Sequence, residues 1–108
     1  MRAAALMMQG VRKDLLRDIE CYTCGEDPSP MTLLRVARLE DWRTSVLRRG
    51  KEFVLVVDGD VYRHPRPEFV AGTRITTSEI CWFDRHRRWI RTYSRLYALG
   101  KPAEGIEI

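Results

Sequence analysis

Apolar positions in the first quarter of the chain recur at helical spacing. Met8, Val11, Leu15, Ile19 and Tyr22 step by three or four, and Arg12, Lys13, Asp14, Arg17, Asp18 and Glu20 fill the gaps. This pattern predicts an amphipathic helix over 8–22. Gly25 is placed to terminate it, and "EDPSP" at 26–30 reads as a turn. Ser29 as N-cap and Pro30 at the first helical position then open a second, short helix over about 30–38. Its Met31, Leu34 and Ala37 are expected to face the same core as the first helix.

After residue 38 the composition shifts toward strands. "WRTSVLR" reads as a strand turning at "RGK", with a helix through Leu39, Trp42 and Val46 that stops at Gly50 as the alternative. In "EFVLVVDGDVY" a β-branched run predicts a strand over 53–57, and Asp58-Gly59 is a hairpin-turn signal. "RHPRPEFVAG" holds two prolines that cannot donate to a ladder, so it reads as a connection. "TRITTSEICWF" restores strand character, and "DRHRR" joins it to "WIRTYSRLYAL". That last segment reads as a strand, although Trp89, Tyr93 and Leu96 also stand at helical spacing ahead of Gly100.

A chain of 108 residues with 44% hydrophobic and 31% charged residues suits one modest core. The expected fold is a single α+β domain over 1–108. Its helical part, 1–38, packs on an antiparallel meander sheet of four or five strands within 39–101, followed by a tail at 102–108. No run approaches the roughly 20 apolar residues that cross a bilayer, and the N-terminal apolar stretch gives way to charge too early for a secretory signal. A cytoplasmic, reducing location without a membrane partner is the expectation.

Charge alters this picture mainly through where it lies. The formal net charge is +4. Arg85, Arg87, Arg88, Arg91, Arg95 and Lys101 fall in a stretch without a single acid, so the rest of the chain is net acidic. Such a local excess attracts phosphate or acidic protein surface, and all but three of the 19 basic residues are Arg, whose planar fork suits both. With Phe83 opposite Trp89 in a hairpin, one face carries Ile80, Trp82, Ile90 and Leu96 toward the core. The other carries Phe83, Trp89, Arg91, Tyr93, Arg95 and Tyr97, alternating rings and guanidinium groups as single-strand binders do. A one-residue slip of register, or coverage by the N-terminal helices, would remove that surface.

Other chemistries find less support. Cys21 and Cys24 have zinc-ligand spacing, with Cys81 and His86, or His64, as candidate partners, but a second compact ligand pair is missing and unliganded thiols fit better. Neither histidine has a nucleophile pattern nearby, and the seven glycines form no phosphate loop. Asp41, Asp58, Asp60 and Asp84 read as turn and cap residues. No cofactor and no enzymatic activity are expected.

Four stretches, "LEDWR", "DGDVYRHPR", "ITTSEI" and "WIRTYSRLYALGKP", carry a resemblance. They resemble a family of short alphaproteobacterial proteins catalogued as a domain of unknown function, with Asp-Trp, His-Pro, Thr-Ser and Trp-x-Arg-Thr-x-Ser-Arg-x-Tyr-x-Leu-Gly as the pattern. Here these are Asp41, Trp42, His64, Pro65, Thr77, Ser78, Trp89, Arg91, Thr92, Ser94, Arg95, Tyr97, Leu99 and Gly100, with Leu39 and Gly59 besides. The match covers about the last two thirds of the chain, omits the cysteine pair, and implies a β-rich fold without naming a ligand.

The function expected from the residues is non-enzymatic binding of nucleic acid or a nucleoprotein complex. Arg87, Arg88, Arg91 and Arg95 are expected on phosphate, and Trp89, Tyr93 and Tyr97 stacking on bases. The alternative is a protein-interaction module, an inhibitor or adaptor, whose basic strip docks on an acidic partner. An open edge strand also permits a homodimer.

Overall fold

Helix α1 spans Gln9–Thr23 in the computed structural model, which describes residues 9–104, with side chains from residue 13 onward. Met8 of the predicted helix and residues 105–108 of the predicted tail lie outside these bounds. Leu15 and Tyr22 are buried, as the apolar periodicity requires. Gly25, at φ +87°, closes the helix, and the Gly25 and Glu26 amides donate to the Tyr22 and Cys21 carbonyls. Those two bonds form a Schellman cap, which needs a residue comfortable in the left-handed region.

Helix α2, Pro30–Arg35, starts where Ser29 and Pro30 predict, and Ser29 Oγ accepts from the Thr32 amide at 3.1 Å. It is shorter than expected, and its apolar side chains do not face the core. Met31 and Leu34 are exposed, and only Ala37, already in extended chain, is buried. One and a half turns fit before the chain must enter the sheet.

Six strands follow: β1 Arg38–Arg49, β2 Glu52–Tyr62, β3 Thr73–Thr76, β4 Ile80–Phe83, β5 Trp89–Thr92 and β6 Leu96–Leu99. They form one sheet in the order β3-β2-β1-β6-β5-β4. The α+β expectation holds, whereas four or five strands in an antiparallel meander does not. Two antiparallel three-strand units are joined by a parallel contact between β1 and β6, with Arg38 opposite Ala98 and Leu39 opposite Leu99. The last predicted strand breaks in two because Thr92 turns the chain, its hydroxyl donating to the Arg95 carbonyl and accepting from the Arg95 amide.

The Asp58-Gly59 pair makes no hairpin. The turn lies at Gly50 and Lys51, where Gly50 has φ +63° and Arg49 pairs with Glu52, and β2 runs unbroken through Asp58 and Gly59. Opposite them β1 bulges between Glu40 and Arg43, with Asp41 at φ 50°. A Cβ at residue 59 would stand 3.2 Å from Leu39 Cβ and 3.3 Å from Trp42 Cβ, so glycine serves close packing against the bulge. Asp58 accepts from the Ser45 and Thr76 hydroxyls.

Only residues 77–79 separate β3 from β4, the two edges of the sheet. That link spans at most about 14 Å, yet six strands laid flat would hold their outer members about 24 Å apart. The sheet therefore curls, and Thr77 fastens the closure by exchanging hydrogen bonds with the Val57 backbone. Leu39, Trp42, Val57, Val61, Ile90, Tyr97 and Leu99 fill the interior. Trp42 Nε1 donates to the Gly100 carbonyl at 3.0 Å.

Candidate ligand groove

Strand β5 is buried on both sides. Ile90 points into the curled sheet, and α1 lies across the opposite face, bringing the Tyr22 ring to 4.6 Å from Trp89 and 5.7 Å from Trp82. Burial pushes the Tyr22 hydroxyl up to about 12, with Asp18 adding to the rise and Arg91 opposing it. Arg91 is buried and its Nε donates to Asp18 at 2.9 Å, while Nη1 reaches the Thr92 carbonyl.

The ring-and-guanidinium strip is therefore corrected residue by residue. Trp89 is fully enclosed, Arg91 is neutralised within the molecule, and Tyr97 is buried in the core. Tyr93 is half-buried, and its amide is bonded to the Glu79 carbonyl. Arg88 is exposed but held by Asp84 and Asp27. Arg87 and Arg95 remain accessible, on different loops. On β5 the sorting is as expected, with Ile90 inward and Trp89 and Arg91 on the opposite face, but α1 covers that face. The slip of register changes β4 alone: Phe83 pairs with Ile90 and Trp82 with Arg91, which turns Phe83 inward and sends Trp82 beneath the helix. The turn at Thr92 sets Tyr97 opposite Ile90, inward.

The zinc candidates also stay apart. Among the described residues no three His, Cys, Asp or Glu side chains gather at metal-binding distance, and Cys21, Cys24 and Cys81 are free thiols. Burial raises the Cys21 and Cys81 thiols further from ionisation.

A different constellation assembles between the β2–β3 connection, β3, the closing link and the β5–β6 turn. A groove of about 370 Å³ is lined there by His64, Arg66, Phe69, Arg74, Thr76, Thr77, Ser78, Ser94, Arg95 and Tyr97. Six of these, His64, Thr77, Ser78, Ser94, Arg95 and Tyr97, belong to the pattern quoted in the sequence analysis. The fold brings them together from three separate stretches of chain.

Each polar group in the groove is held in a definite way. His64 Nδ1 accepts from the Arg66 amide at 3.1 Å, which leaves Nε2 to carry the proton of the neutral ring. Burial lowers the His64 pKa, and Arg95 and Arg66 lower it further against Glu68. The ring stands edge-on to Phe69, 4.7 Å between centroids. Ser78 and Ser94 share a hydrogen bond at 2.9 Å. Arg66 pairs with Glu68, and Arg74 bonds the Asp41 carbonyl, Asp41 Oδ2 and Asp60 Oδ1. Arg95 differs, because among the described residues its guanidinium takes part in no ion pair or hydrogen bond, while its backbone is fixed by Thr92.

The groove thus offers one uncommitted guanidinium, two more at its margin, a neutral imidazole N–H, several hydroxyls and two aromatic walls. That donor set suits a phosphate or another oxyanion attached to a flat group. Sequence reading named Arg95 and Tyr97 but missed the groove and its other residues, because these come from segments with no periodic relation. The Thr-Ser, His-Pro and Ser-Arg pairs were the available signal. No family model, no curated protein and no solved structure matches this chain.

Proposed function

We propose that the protein is a non-enzymatic binder of a nucleotide unit, taken free or as part of a nucleic acid, with its phosphate seated on Arg95 in the groove. The observation that carries this reading is the Arg95 guanidinium, without a partner among the described residues, lining with hydroxyls and a neutral histidine a space of about 370 Å³, near the lower end of the usual range for small-ligand sites. Arg95 supplies bidentate contact, His64 Nε2 and the Ser78–Ser94 pair supply neutral donors, and the Phe69 and Tyr97 rings border the base. The nucleic-acid expectation thus moves from a stacked strip to a single pocket.

Calorimetric titration with inorganic phosphate, mononucleotides and a short single-stranded oligonucleotide tests this directly. Arg95→Ala is expected to weaken binding about tenfold or more, since a charge-assisted hydrogen bond contributes about 1.5–3 kcal/mol. Mononucleotide binding assigns a free ligand, and binding of the oligonucleotide alone assigns a chain. No heat with any of the three removes the reading. Docking on an acidic protein surface is a second reading, favoured by Arg85 and Arg87, which are exposed on the β4–β5 loop and in no ion pair among the described residues.

A further inference from the structure

The outer part of the β1–β2 hairpin leaves the sheet. β6 pairs with β1 only at Arg38 and Leu39, and β3 pairs with β2 only from Asp58 to Val61. From Thr44↔Val57 to Arg49↔Glu52 the two strands pair chiefly with each other, giving a ribbon about 20 Å long at roughly 3.4 Å per residue. The register sets Val46 against Leu55 and Arg48 against Phe53 on the face that is core farther down, at Val57 and Val61. Among the described residues no helix covers that face here, where Val46 is 61%, Phe53 69% and Leu55 40% exposed.

The ribbon is also basic. Arg48, Arg49 and Lys51 stand against one acid, Glu52. Arg49 approaches Glu79 only at 3.9 Å, and Arg48 and Lys51 enter no ion pair among the described residues. A second copy is a poor occupant. Pairing two ribbons would bring the Arg48, Arg49 and Lys51 side chains of each copy against like charges. A polyanion complements the charge, and a two-stranded ribbon fits the B-form major groove, about 12 Å wide. A-form RNA closes its major groove to side chains.

We infer that the β1–β2 ribbon is an arm for duplex DNA that enters the major groove, with Arg48 and Lys51 on phosphates and Phe53 and Val46 against the base edges. The inference stands on the ribbon alone and is independent of the groove at Arg95.

Fluorescence anisotropy with one sequence as duplex DNA, duplex RNA and single-stranded DNA, over a range of salt concentrations, tests it. The wild type is expected to prefer duplex DNA. Combined Arg48→Ala and Lys51→Ala substitution is expected to weaken that binding about tenfold or more and to reduce the slope of log affinity against log salt by about two. Phe53→Ser is expected to lower affinity with the slope unchanged. An unchanged slope in the double variant, with a native circular dichroism spectrum, overturns the inference, as does absence of duplex binding by the wild type. A dimer that Phe53→Ser dissociates assigns the ribbon to self-association and overturns it too. Arg95→Ala measured alongside reports on the groove, so each failure can be told from the other.

Discussion

Strand β5 and the β1–β2 ribbon have nearly the same vocabulary, large apolar side chains interleaved with arginine, and opposite fates. In β5, Trp89 and Arg91 lie under α1, and Asp18 on that helix neutralises the guanidinium. In the ribbon, Phe53 and Arg48 are exposed, with no covering element among the described residues. The sign of a surface is set by what lies across it. For β5 the decisive residues, Asp18 and Tyr22, are some 70 positions away in the chain.

Substitution in the two places should separate them most widely. Trp89→Ala opens a cavity between α1 and the sheet and is expected to cost about 3–5 kcal/mol. Phe53→Ser should stay within about 0.5 kcal/mol, as an exposed site does. Urea denaturation followed by fluorescence reads both, and equal losses would mean that the ribbon packs as firmly as β5.

Much of the architecture was legible, and the places where reading failed share one cause. Local signals were followed closely: the 3.6 period of α1, Gly25 as its cap, Ser29 and Pro30 at the start of α2, and the turn at "RGK" each depend on a few adjacent residues. Asp58-Gly59 misled because its glycine answers to a bulge in a neighbouring strand about twenty residues earlier, which local turn chemistry does not encode. The stacked strip misled for a related reason. Alternation sorted β5 correctly, but nothing local encodes that α1 lies across its Trp89 and Arg91 face, and the one-residue offset that pairs Phe83 with Ile90 reverses β4. The Arg95 groove needed three distant segments at once, and only the Thr-Ser, His-Pro and Ser-Arg pairs pointed toward it.

The ion pair beneath α1 gives a second, smaller contrast. Asp18→Asn leaves a buried guanidinium without its counter-charge and is expected to cost about 2 kcal/mol, less than for a fully enclosed pair because Asp18 keeps some contact with water. Replacing both Asp18 and Arg91 by Leu should restore part of the loss, since it removes the orphaned charge but also the Arg91 bond to the Thr92 carbonyl. In the ribbon, Arg48→Ala has no such partner to orphan. A double-mutant cycle at 18 and 91 measures the coupling, and near-zero coupling would show that the guanidinium is satisfied by the Thr92 carbonyl alone.

The smallest effect distinguishes the two hairpin tips by pH. The β4–β5 loop is fastened by buried Asp84, which accepts from the Arg88 amide at 3.0 Å and Arg88 Nε at 2.9 Å, and Arg87 takes the left-handed conformation at φ 56°. Burial opposes ionisation of Asp84, but the side-chain and backbone hydrogen bonds from Arg88 outweigh it and hold the carboxyl below its ordinary value. A carboxyl depressed by folding contributes stability above its unfolded pKa, about 3.9, and loses it as pH falls through the folded value. Protection of the Arg88 amide, relative to its intrinsic exchange, should therefore fall in acid below about pH 4, and Asp84→Asn should show the lower protection at neutral pH already. Among the described residues no carboxylate clasps the Gly50 and Lys51 turn in this way, so exchange there should follow only the intrinsic pH dependence. Parallel curves for the two tips would show that Asp84 does not hold the loop.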